Sequence, residues 1–129
     1  YNLFMKIVYL CGPIADSSDY ECNNWRDYIK ERYNNCLNPM IRDYREKTAQ
    51  NEKNIVEDDK NDIDNSDILL FNYFKPSIGS SMEILYAYMK NKIIITINSH
   101  YYELSPWIVY HSDYIVKSLD ESILLIKNL

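Results

Sequence analysis

Five short apolar runs punctuate this chain: Lys6–Leu10, Cys36–Asn38, Ile68–Phe74, Lys92–Ile97 and Tyr114–Val116. Each is followed by a segment of helical period. Strands that alternate with helices pair in parallel, because each helical crossover carries the chain back across the sheet. The expected fold is α/β, a doubly wound flavodoxin- or Rossmann-like arrangement with a mostly parallel five-stranded sheet and helices on both faces. No repeat, linker or low-complexity stretch interrupts the alternation. The 129 residues are expected to form one domain, 1–129, large enough for a single core. Tyr1 to Phe4, ahead of Met5, are expected to be an extraneous lead.

The helical segments carry their own punctuation. Ser18 followed by Glu21 matches a capping box, so a helix is expected from there to about Tyr33, with Trp25, Tyr28, Ile29 and Arg32 inward. The Met40-to-Asn51 segment is polar and reads as a loop. Asn54 to Asn65 reads as a helix on which Ile55, Val56 and Ile63 share a side. A later helix has apolar residues at Met82, Leu85, Tyr86 and Met89.

Composition narrows the function classes. A net charge of −5 argues against a general grip on polymeric DNA or RNA, while leaving room for a small phosphorylated ligand. No apolar run approaches the length of a membrane span, and no signal peptide is visible. Cys11, Cys22 and Cys36 are an odd set without a Cys-x-x-Cys, supporting neither a disulfide framework nor a zinc site. A reducing, cytoplasmic setting without metal or cofactor is expected.

In doubly wound sheets ligands bind beyond the carboxyl ends of the strands. Both glycines of the chain, Gly12 and Gly79, fall at strand-to-helix junctions on that edge. The loop Ser77-Ile78-Gly79-Ser80-Ser81 opens a helix, and unpaired N–H groups there suit an anion. Glu83 follows, in the expected first turn. Ser80 with Glu83 also matches a capping box, so the glutamate reads either as a cap or as a site residue.

Asp59 falls within the apolar stripe of its helix, where a carboxylate is costly unless paired or used. A structural pairing at the stripe's edge and a role in a site both fit. Arg42, Arg45 and Lys47 form a local basic cluster that reads as a solvated loop or as an anion contact. Together Tyr9, Gly12 to Ala15, Asp59 and Ser77 to Glu83 supply two carboxylates, a phenol and small-residue loops. That set suits glycosidic chemistry on a phosphorylated substrate.

Three spaced motifs are recognisable. Tyr9-Leu10-Cys11-Gly12-Pro13-Ile14, Asp59-x-x-x-Ile63-x-x-x-Asp67, and Lys75-Pro76-Ser77-Ile78-Gly79-Ser80-Ser81-Met82-Glu83 together resemble the nucleoside 2-deoxyribosyltransferase superfamily. Within it the chain is most similar to the deoxynucleoside 5′-monophosphate N-glycosidases. The resemblance implies Glu83 as nucleophile, Asp59 as the acid assisting the leaving base, Tyr9 as a group orienting Glu83, and Asp67 as structural. It implies a phosphate pocket of Gly12, Pro13, Ile14, Ser77 and Gly79. It also implies that Ser105, in Leu104-Ser105-x-x-Ile108, acts in the site of a neighbouring subunit, so that the protein is a homodimer or larger.

Where those N-glycosidases carry an arginine in the first loop, this chain has Ala15, and Arg42 or Arg45 is the candidate replacement. The transferases on free nucleosides carry an acidic residue near the position of Ser77. Its absence favours a monophosphate, since a serine donates to phosphate and a carboxylate repels it. The expected reaction is therefore cleavage of a (deoxy)nucleoside 5′-monophosphate into base and sugar phosphate, with deoxyribosyl transfer and a non-catalytic nucleotide-binding module as alternatives. Tyr20, Trp25, His100 and Trp107 fit a base pocket, the core or an interface alike.

Overall fold

The structure is a computed structural model that describes residues 5–129; the expectation for Tyr1 to Phe4 lies outside the described residues. Strands β1 (Val8–Cys11), β2 (Cys36–Leu37), β3 (Ile68–Asn72), β4 (Ile93–Ile97) and β5 (Tyr114–Val116) form one sheet in the order β2-β1-β3-β4-β5. Every pairing is parallel, with Leu10 opposite Leu70 and Leu70 opposite Ile95. The helices are α1 (Asp19–Arg32), α2 (Glu52–Asp64), α3 (Ile78–Met89), α4 (Pro106–His111) and α5 (Leu119–Lys127). The strand order reverses between β1 and β3, and in doubly wound sheets ligands bind beside such a switch point, beyond the carboxyl ends of the strands.

The period of two along each strand divides the core into two layers. Val8, Leu10, Ile68 and Leu70 face Trp25 and Ile29 of α1 and Ile123 and Ile126 of α5. Tyr9, Cys11, Leu69 and Phe71 face Ile63 of α2, Ile84 and Ala87 of α3, and Ile108 of α4. The central strands β1 and β3 are buried on both faces, which is why they read as continuous apolar runs. The Asp67 carboxylate accepts from the Ile7 N–H at 2.8 Å and ties the entry of β3 to β1.

The Ser18–Glu21 capping box forms in full, with bonds of 2.9 and 3.1 Å. Elsewhere the helices differ from expectation. Helix α3 starts at Ile78, because Ser77 and not Ser80 is its cap, accepting from the Ser80 N–H at 3.2 Å. Glu83 therefore lies in the second turn, too far along to reach back to the cap. The inward residues of α3 are Ser80, Ile84 and Ala87, whereas Met82 and Met89 are 69% and 72% exposed. Helix α1 turns Arg26 inward in place of Arg32, which lies over the Tyr28 ring. Val56 is exposed, since Ile63 in the last turn is the buried residue of α2. Pro39–Arg42, read as loop, forms a 3₁₀ turn capped by Asn38.

Candidate active site

Parity along β1 places Tyr9 and Cys11 on the face that receives α3, and Glu83 comes down onto both. The Tyr9 hydroxyl donates to Glu83 Oε2 at 2.9 Å, and the Cys11 thiol donates to Glu83 Oε1 at 3.3 Å. Each carboxylate oxygen thus has its own donor from an alternate residue of one strand. The third neighbour is Asp59, whose carboxyl is within hydrogen-bonding reach of Glu83. Two carboxyls bond to each other only when one of them holds a proton.

Burial, reinforced by the negative charge of Asp59, pushes the Glu83 carboxyl up to about 8. Burial also raises Asp59, opposed by the hydrogen bond to Glu83 and by Arg42. The two behave as a coupled pair that retains one proton near neutrality. Tyr9 and Cys11 are both pushed well above their ordinary values, first by burial and then by Glu83, so both remain protonated donors.

Asp59 is oriented from behind. Arg42, at the end of the 3₁₀ turn, contacts Asp59 at 3.3 Å, Asp62 at 2.6 Å and Asp58 at 3.7 Å. Arg45 lies against Asp43 and Asp19 and donates to the Ser17 carbonyl. Both arginines expected near a phosphate are therefore held by carboxylates.

The two glycines differ in what surrounds them. A Cβ on Gly12 would stand 2.8 Å from Cζ2 of Trp25, so the indole itself requires glycine there. A Cβ on Gly79 would meet nothing within 4 Å, leaving the backbone of the first α3 turn open on that side. Pro13 is buried and Ile14 half-buried in the same turn as Gly12. Ser77 is engaged as the cap, its hydroxyl donating to Ser80 Oγ at 2.9 Å. Ser105 caps α4 on the exposed surface and has no contact with Glu83 in the same chain. Of the candidate base-pocket residues, Trp25 belongs to the core, while Tyr20, His100 and Trp107 are exposed.

Sequence reasoning missed Cys11 and Arg26. Cys11 shares strand parity with Tyr9, a signal that was available. Arg26 stands one residue after Trp25 and four after Cys22, within the buried stripe of α1, but arginine there is the residue least expected inside.

A family model for nucleoside 2-deoxyribosyltransferases matches residues 8–122. No curated protein matches the chain. Among solved structures, a conserved protein from Enterococcus faecalis V583 superposes with a TM-score of 0.74 at 16% identity, covering 96% of this chain and 98% of the other. A 2-deoxyribosyltransferase from Bacillus psychrosaccharolyticus gives 0.74 at 10% identity, with 90% and 89% covered. The CMP N-glycosidase BcmB from Clostridium botulinum gives 0.62 at 14% identity, with 95% and 99% covered. At these identities the likeness is one of fold. The family match spans nearly the whole chain and includes both carboxylates of the coupled pair, so the protein belongs to the nucleoside 2-deoxyribosyltransferase family of enzymes.

Proposed function

We propose that the protein cleaves the N-glycosidic bond of (deoxy)nucleoside 5′-monophosphates, releasing free base and sugar 5-phosphate. The observation that carries this reading is the Glu83 carboxyl, held by one donor on each oxygen and coupled to Asp59. In the productive microstate the shared proton resides on Asp59 and Glu83 is ionised. Glu83 attacks the anomeric carbon as the base departs, and Asp59 gives its proton to the leaving base. A glycosyl–Glu83 ester results. Water, deprotonated by Asp59, then attacks the same carbon and regenerates Glu83.

The phosphate would occupy the turn of Gly12, Pro13 and Ile14 and the first turn of α3 at Ser77 and Gly79. A hydroxyl at Ser77, where an acidic group would repel an anion, supports a monophosphate over a free nucleoside. Arg42 or Arg45 would reach it only by leaving its carboxylate partners. The transferase reading draws on the Bacillus enzyme, and differs only in that a second base replaces water. Chromatography of base release from monophosphates and matching nucleosides, with and without an acceptor base, tests the proposal. Release from monophosphates without acceptor supports hydrolysis; release that requires the acceptor overturns it.

Gly79→Ala separates the ligand from the fold. With open space around its Cβ, alanine in a helical turn should stabilise the free protein by about 0.5–1 kcal/mol. The same methyl group would crowd a phosphate on the backbone, so KM for monophosphates should rise roughly tenfold while the thermal midpoint also rises. An unchanged KM would place the phosphate elsewhere.

The shared site is proposed to form across α3 and α4. Met82, Met89, Trp107 and Tyr110 are 69%, 72%, 70% and 72% exposed, a concentration of large apolar side chains that suits a second copy of this chain. Ser105 lies beside them on a cavity of about 210 Å³ shared with Met82 and Leu85. Sedimentation should give a dimer or larger, and Trp107→Glu should give monomers with base release lowered at least tenfold. Monomeric, fully active wild type would refute the shared site.

A further inference from the structure

We propose that Cys11 is a positioning residue for Glu83, a thiol that aims one carboxylate oxygen and sets the pH at which it ionises. The inference rests on Glu83 being the nucleophile. Cys11 is fully buried at the carboxyl end of β1, and its Sγ lies 3.3 Å from Glu83 Oε1. The Tyr9 hydroxyl occupies the other oxygen, so without Cys11 the Oε1 side would lose its only β1 donor. The thiol also has a second acceptor, the Ser80 carbonyl at 3.9 Å on the buried side of α3. When Glu83 is esterified and its charge is gone, the S–H can turn to Ser80 without being left unpaired.

The choice of sulfur has a chemical consequence. An S–H is a weak donor, so it orients a carboxylate without withdrawing much of its basicity, and basicity is what a nucleophilic oxygen needs. Burial and the adjacent Glu83 charge both raise the thiol, which therefore stays protonated and does not compete as a nucleophile. The groups around Glu83 among the described residues are Tyr9 and Cys11 from β1, and Asp59 from α2 with Arg42 and Asp62 behind it. Arg26 of α1 adds a more distant positive charge. Of these, Cys11 is the one whose replacement by serine or alanine alters the donor on Oε1 and leaves every charge in place.

The test is a carbon-13 titration of the Glu83 carboxyl in glutamate-labelled protein, its resonance identified by loss in Glu83→Gln, for wild type, Cys11→Ser and Cys11→Ala. Serine, a stronger donor, should lower the midpoint, and alanine, with no donor, should raise it, each by roughly half to one pH unit. The alkaline limb of kcat/KM for base release, where the pair loses the proton that Asp59 must donate, should move in the same order. In Cys11→Ala the shared proton rests more often on Glu83, so kcat below the midpoint should fall roughly three- to tenfold, with KM unchanged. A merely structural cysteine would move neither the midpoint nor the limb. Identical midpoints with base release intact overturn the role of Cys11 and leave the reaction standing. Midpoints in the expected order, with no base released by wild type from any substrate, support the bond and sink the reaction.

Discussion

Glu83→Gln is expected to abolish base release, by at least roughly a thousandfold, while making the protein more stable in alkali. The amide keeps the shape of the carboxyl and an acceptor for Tyr9, but it cannot form the glycosyl ester. The stability effect follows from where the proton prefers to be. The folded protein holds the Glu83 carboxyl at about 8, above the ordinary carboxylate range of an unfolded chain. A group raised in this way contributes stability that is complete below its unfolded value and is lost as pH rises through the folded one. At pH 9 wild type therefore carries a buried carboxylate beside Asp59, and the glutamine variant does not. Its thermal midpoint should exceed that of wild type by several degrees at pH 9, and the difference should vanish near pH 4. Scanning calorimetry from pH 4 to 9 reads this directly. A pH-independent difference would mean that Glu83 is not held as a buried acid; nucleotide affinity in both proteins with base release in neither would leave only a binding module.

Arg26→Met should cost about 3–5 kcal/mol of folding stability, a large share of what a domain of this size has. The side chain is fully buried, and among the described residues no carboxylate pairs with it. Its guanidinium donates instead to three carbonyls, Leu10 at 3.2 Å, Cys22 at 2.7 Å and Gly12 at 3.1 Å, and lies 4.7 Å from the Trp25 ring. Burial lowers its pKa, but arginine stays charged. Methionine fills most of the volume and removes the side-chain donors to the Leu10, Gly12 and Cys22 carbonyls, a lost bond costing about 1–3 kcal/mol before relaxation where no other donor remains. Arg26→Lys should recover only part of the loss, because one ammonium cannot span three acceptors spread from β1 to α1. Urea midpoints measure both variants, and a loss below about 1 kcal/mol for methionine would mean that water satisfies those carbonyls.

These two side chains differ in how far they could be read without the fold. Glu83 was legible as a site candidate from a loop of small residues after an apolar run, and the spacing of Tyr9, Asp59 and Glu83 carried the family resemblance. The local frame around Glu83 was not. Ser77 and Ser80 are both competent caps, and only the packing of Ser80, Ile84 and Ala87 against the sheet selects Ser77. With that choice Glu83 moves from the first turn to the second, and from capping its own helix to meeting β1. Met82 and Met89 misled for the related reason that apolar residues on α3 are divided between two faces, one packed on the sheet and one open beside α4.

The sequence by itself determined the parallel five-stranded sheet and, with it, the edge proposed for its ligand, because strand runs, helical periods and glycines at junctions are local properties repeated along the chain. Strand parity likewise committed Tyr9 and Cys11 to one face. The tertiary structure alone decided that Arg42 clamps Asp59, that Arg26 is inside, and that one oxygen of Glu83 answers to a phenol and the other to a thiol. Those contacts join residues from 14 to 74 positions apart, and no period or propensity encodes a meeting between elements that only the closing of the sheet brings together.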